Sequence, residues 1–117
     1  MIKTFTAAVA AQAIAVSPLE IYVSETGGVY EANFSFSSDW DVMTTKKAVF
    51  QNRYGTREER DIVGGSCTLP ASCLMEGTLY VGAYGTEGSK INPTRWASIY
   101  VHTGALGGVY RTERSDL

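Results

Sequence analysis

Few residues in this 117-residue chain have types suited to chemistry, and their spacing does not assemble them. His102 is the single histidine, and Cys67 and Cys73 are the two thiols. A Ser-His-Asp or Cys-His relay would have to run through His102. That residue ends an alternating segment in phase with Tyr100, where a polar surface side chain is expected. Cys67, Cys73 and His102 together fall short of the four ligands of a closed metal site. Two cysteines make no disulfide framework, so both read as buried free thiols, behaving as small hydrophobes and in keeping with a reducing cytoplasm. Asp39 and Asp41 flank Trp40, and a glycosidase needs two carboxyls about 5–10 Å apart. Two aspartates on a turn serve equally well to cap it. Gly85 to Ser89 reads as a flexible connection between strands, without the helix N-terminus on which a phosphate loop depends. The expectation is a protein with no catalytic, metal or cofactor site.

Aromatic residues are the larger resource. Exposed rings stack on sugars or anchor protein interfaces. As interface residues the sequence offers Tyr22, Tyr54, Tyr84, Trp96, Tyr100, Tyr110 and Arg111. As a glycan-stacking platform it offers Trp40, Tyr84 and Trp96. The plainer reading has the two tryptophans plugging the ends of a small sandwich. It is the favoured one for Trp40, and Trp96 stays open between the two.

The elements that must position these residues are strands. From Tyr30 to Ser37 the chain alternates without error, with Tyr30, Ala32, Phe34 and Phe36 on one face and Glu31, Asn33, Ser35 and Ser37 on the other. Ile2 to Ala8 and Gln12 to Val16 read as an opening hairpin. Met1-Ile2-Lys3 before Thr6 to Val16 has the outline of a signal peptide, but Thr4, Thr6 and Gln12 interrupt it. Further strands are expected at Leu19 to Ser24, Lys46 to Asn52, Thr56 to Val63, Ser66 to Leu69, Thr78 to Tyr84 and Thr94 to Thr103. Pro70 to Met75 has room for one helical turn, closed by Gly77. The mixed charges Arg57, Glu58, Glu59, Arg60 and Asp61 read as a solvated edge that discourages stray pairing.

Composition agrees. Hydrophobic residues make up 44%, enough for one core, while 12 glycines and 7 tyrosines favour turns and strands. Many short strands with glycine-rich turns predict an all-β, antiparallel β-sandwich, Ig-like or jelly-roll-like, with one short helical turn near 70–75. Residues 1–105 would form this domain and 106–117 a tail that makes an assembly contact. A net charge of −2 gives no basic field for nucleic acid, and no apolar run approaches the roughly 20 residues of a membrane helix.

Two blocks carry a resemblance. The first is the alternating strand followed by Asp39-Trp40-Asp41 and Thr45-Lys46-Lys47-Ala48-Val49-Phe50. The second is Cys67-Thr68-Leu69-Pro70, then Gly77 to Thr86 with its Tyr84-Gly85-Thr86, then Pro93-Thr94-Arg95-Trp96-Ala97. Together they resemble a small β domain at the start of tail, baseplate or tail-fibre proteins of phages and prophages of Gram-positive hosts. That family tends to read Trp-Asp-Gly-Leu-Thr-Lys-Thr-Ala-Val-Phe, Cys-Thr-Ile-Pro, Tyr-Gly-Thr and Pro-Thr-x-Trp-Ala. The likeness spans roughly residues 1–105. Val42-Met43 stands where the family has Gly-Leu, and Ala71-Ser72-Cys73 departs from its usual segment. The resemblance implies a virion structural or adaptor role without catalysis, assembled in the host cytoplasm beside other virion proteins, in several copies or as a homo-oligomer. Capsid decoration and a carbohydrate-binding module are the alternatives.

Overall fold

The Tyr30–Phe36 alternation becomes an interior strand, with Tyr30, Ala32 and Phe34 buried and Asn33 and Ser35 exposed. The structure, a computed structural model, describes residues 3–21 and 30–102. Tyr22, the glycine pair at 27–28, and the tail with Tyr110 and Arg111 lie outside the described residues. The strands are β1 (Lys3–Ala10), β2 (Ala13–Ser17), β3 (Glu20–Ile21), β4 (Tyr30–Phe36), β5 (Thr45–Asn52), β6 (Arg57–Asp61), β7 (Ser66–Thr68), β8 (Gly77–Glu87), β9 (Lys90–Pro93) and β10 (Ala97–Val101). Single 3-10 turns lie at Ser38–Trp40 and Ala71–Cys73. The second is the short helical turn expected after Pro70, and it buries Cys73.

Two sheets result, ordered β2-β1-β4-β7 and β3-β10-β8-β5-β6, with β9 added to β8. Phe5, Ala7, Val9, Ala32 and Phe34 from the first sheet meet Ala48, Phe50, Leu79, Val81, Ile99 and Val101 from the second in one buried cluster. Two faces sharing a single core make a β-sandwich. Six of the eight strand pairs among the described residues are antiparallel. The pairs β1–β4 and β3–β10 run parallel. A parallel pair needs a crossover, and the chain supplies one by leaving the first sheet after β2, giving β3 to the second, and returning as β4.

Gly85 to Ser89 is not the loose connection that the sequence suggests. β8 runs on through Glu87 and pairs with β9 up to Glu87↔Lys90, so Gly88 and Ser89 alone make the turn. Gly85 is a packing residue rather than a turn residue. A Cβ there would lie 2.7 Å from Met43 Cγ and 3.0 Å from Trp40 Cζ3.

Trp40 does not serve as the glycan-stacking platform that the sequence offers. It is 0% exposed, so it offers no face to a sugar and cannot be a stacking platform. Its indole N–H donates to the Ala11 carbonyl at 2.9 Å, in the turn between β1 and β2. Phe36 packs on it at 5.0 Å between ring centres. The plug reading is therefore right for this tryptophan. A side chain of this size, buried with its one polar group satisfied, is expected to lose about 3–5 kcal/mol of stability on Trp40→Ala. Trp40→Phe keeps most of the volume and is expected to cost less. Urea unfolding followed by far-UV circular dichroism checks both, and a Trp40→Ala variant as stable as wild type would refute the assignment.

Candidate functional site

Residues directly opposite one another in adjacent strands point to the same face, so the register lays out the outer face of the larger sheet in rows. Arg57, Gln51, Tyr80 and Ser98 form one row. Glu59, Val49 and Gly82 form the next. Asp61, Lys47, Tyr84 and Pro93 form a third. The middle row is low, because Gly82 has no side chain, and a cleft of about 480 Å³ opens over it. Val49 is its floor. It points outward yet is only 5% exposed, because Trp96, Tyr84, Arg57 and Glu59 rise around it.

One irregularity aims Trp96 at this cleft. Tyr84 pairs with Pro93 and Val81 with Ala97. Two residues of β8 thus face three on the other side, Thr94, Arg95 and Trp96. This is the count of a β-bulge, which re-aims a side chain. The bulge is clamped. Thr94 N–H donates to the Ala83 carbonyl at 2.8 Å, and Ala83 N–H donates to Thr94 Oγ1 at 3.0 Å. The Arg95 N–H donates to the Gln12 carbonyl at 2.8 Å, tying the bulge to the other sheet. The indole then rests on Gly82, where an added Cβ would come within 3.2 Å of its Cε3. Tyr80 meets it edge-on at 6.2 Å, and the Arg57 guanidinium stands 5.7 Å from the ring centre, in cation–π range. Trp96 is nonetheless 47% exposed, so it is a presented ring rather than a plug.

The polar wall is ordered too. Tyr84 Oη donates to Glu59 Oε1 at 2.7 Å, and this bond to a carboxylate is the main cause that raises the Tyr84 phenol above its ordinary 10.0. Arg57 donates from Nη1 to Gln51 Oε1 at 3.3 Å. Lys47 and Asp61 pair at 3.6 Å on the rim.

The remaining aromatics form a second cluster beyond the Tyr80 row. Tyr100 Oη donates to Glu76 Oε2 at 3.2 Å. Glu76 also faces the Arg53 guanidinium at 3.8 Å, which lies over the Tyr54 ring at 5.1 Å. His102 packs edge-on to Tyr100 at 4.7 Å. The structure therefore joins Tyr84 with Trp96, and separately links Tyr54 to Tyr100.

The other chemical candidates stay apart. Asp39 accepts from the Ser37 hydroxyl, and the Asp41 backbone N–H donates to the Ser38 carbonyl; no side-chain hydrogen bond caps the 3-10 turn, so the aspartates are not its capping groups. Cys67 and Cys73 are free and buried, and burial pushes the Cys67 thiol up to about 11 and raises Cys73 as well. Among the described residues no three potential ligands gather as a metal group. Reading the sequence missed Val49, Arg57, Glu59, Gly82, Ile91 and Pro93 as cleft residues. One signal for it was present: a glycine between two tyrosines on the outward face of a strand, Tyr80-Gly82-Tyr84, marks a gap or a close approach. No family model matches the chain, and no curated protein matches it significantly.

Two outcomes are expected. Gly82→Ala displaces the indole outward by only a few tenths of an ångström, roughly what a 3.2 Å Cβ contact requires, and its exposed side allows this without releasing the Thr94 and Arg95 clamps. Tryptophan emission should change while stability stays within about 1 kcal/mol of wild type; a large loss of stability would mean the ring cannot move. For the thiols, the unfolded chain sheds the Cys67 proton near 9.0 while the fold holds it to about 11. The stability it contributes is full below pH 9 and is lost between those values, by up to about 2–3 kcal/mol. Urea midpoints measured across that range in wild type and Cys67→Ala check this: the wild type should show the steeper fall. Equal slopes would contradict it.

Proposed function

We propose that this chain is a structural component of a phage or prophage virion, in the tail, baseplate or fibre-attachment region, and that it works by holding neighbouring proteins in place. The observation that carries the reading is the linked cluster of Tyr54, Arg53, Glu76 and Tyr100. Tyr54 and Tyr100 are exposed, and their orientation is set by the Arg53–Glu76 contacts. Tyrosine and arginine dominate the energetic centres of protein interfaces, and rings held in advance lose little freedom on docking.

The blocks that resemble the phage family supply the joints of this fold: the Trp40 plug, the interior strand β5, the exit from β7 at Cys67–Pro70, and the bulge at Pro93–Ala97. A domain locked at its joints sets a fixed angle between whatever it connects, which an adaptor requires. Strand addition is discouraged at one edge of the larger sheet. The edge strand β6 is made only of Arg, Glu and Asp, and Glu58 and Arg60 sit on its inner side opposite Phe50 and Ala48. Inward charges of this kind discourage edge pairing.

Gold-labelled antibody against the chain, applied to intact particles from a strain that encodes it, is expected to decorate the tail tip or fibres. Label over the head would replace the reading with capsid decoration, and unlabelled particles with free protein would sink it. The double substitution Tyr54→Ala with Tyr100→Ala should lower incorporation into particles by roughly tenfold or more, with the melting transition retained.

A further inference from the structure

We propose that the cleft between Trp96 and Glu59 is a binding site for a neutral saccharide. This does not rest on the virion reading and holds for the isolated chain. The cleft has the size of a small-molecule site, about 480 Å³, within the roughly 300–1,000 Å³ such sites occupy. Its chemistry is two-sided. On one side the Trp96 indole is presented, pinned against Gly82 and braced by Tyr80. The C–H face of a pyranose ring packs on such a surface, which is large, apolar and rigid. Across the floor at Val49 stands the Glu59 carboxylate, and the Arg57 guanidinium lies over the indole at 5.7 Å from the ring centre, beside the surface a sugar would meet.

These two groups have capacity left. Glu59 Oε1 accepts from Tyr84, and Oε2 can take a further hydroxyl. Arg57 gives Nη1 to Gln51, and its fork carries five N–H donors in all. A carboxylate accepting from sugar hydroxyls beside a guanidinium donating to them matches a polyol, whose every hydroxyl both donates and accepts.

Charge selects the neutral class. Arg57 and Glu59 cancel within the cleft, and Lys47 and Asp61 cancel on its rim at 3.6 Å. A phosphate or acidic sugar would meet Glu59 without a surplus cation, and a cationic peptide would meet Arg57. The bulge contributes preorganisation, because its clamps at Thr94 and Arg95 hold the indole in place before any ligand arrives.

The test is a titration of the intact chain with a panel of neutral hexose and N-acetylhexosamine oligosaccharides, read by tryptophan emission and calorimetry. Trp40 is sealed, so an emission change reports Trp96. Saturable binding with a Kd on the order of 10⁻⁴ M is expected, as for a shallow open site. Trp96→Ala should abolish it. Glu59→Gln, which keeps an oxygen to accept from Tyr84 Oη, should weaken it about tenfold through loss of charge-assisted bonds. Anionic oligosaccharides should bind more weakly than their neutral counterparts. The proposal is overturned if no panel member changes the emission at about 10 mM, a hundred times the Kd expected above. Unchanged affinity in both variants would overturn it too. So would sedimentation showing self-association that Trp96→Ala removes while sugars have no effect, which would assign the cleft to a second copy of the chain.

Discussion

Burial of Trp40 is the constraint on which the rest of the structure depends. Three separate parts of the chain meet at its indole: the β1–β2 turn through the Ala11 carbonyl, the end of β4 through Phe36, and β8 through Gly85. Two sheets packed face to face need something at their open ends, where strands run out and no further row of side chains is available. A tryptophan fills that volume with one residue, and its single N–H finds a carbonyl rather than being left orphaned in the core. Gly85 follows from this. A side chain there would collide with the indole, so the glycine sits inside a strand where it would otherwise weaken the sheet.

The other tryptophan is placed by the opposite device. Nothing encloses Trp96. A bulge turns it outward, hydrogen bonds from Thr94 and Arg95 hold the bulge, and Gly82 leaves the space in which the ring lies. Ring and sheet are therefore rigid relative to one another although half of the ring meets water. Rigidity at an exposed aromatic is useful for recognition, since the ordering cost of binding is met during folding. The outer face then divides by chemistry. Near Trp96 it is a cleft whose charges balance. Near Tyr100 it is a tyrosine surface organised by Arg53 and Glu76.

At one edge of the larger sheet, charge guards against stray strand pairing. β6 presents charges on both sides, and its outward set also lines the cleft. Arg57 and Glu59 thus serve two purposes. They read naturally as a solvated edge, and they are one, but their opposition to Val49 and Gln51 brings them beside Trp96.

What the sequence by itself determined is the local order. Period-two alternation at Tyr30–Phe36, at Leu79-Val81-Ala83 and at Ile99-Val101 named the buried faces correctly, because strand side chains alternate whatever the partner strand is. The helical turn after Pro70 and the buried thiols were legible for the same reason: they depend on near neighbours and on residue type. Tertiary structure decided everything that depends on pairing. It joined β9 and β10 along one side of β8 and so created the bulge. It brought β6 across from Trp96, buried one tryptophan and presented the other, and turned Gly85 from a turn signal into a packing requirement. Register is a relation between distant segments. No single stretch encodes which residue will stand opposite Gly82, and the cleft exists only once that is settled.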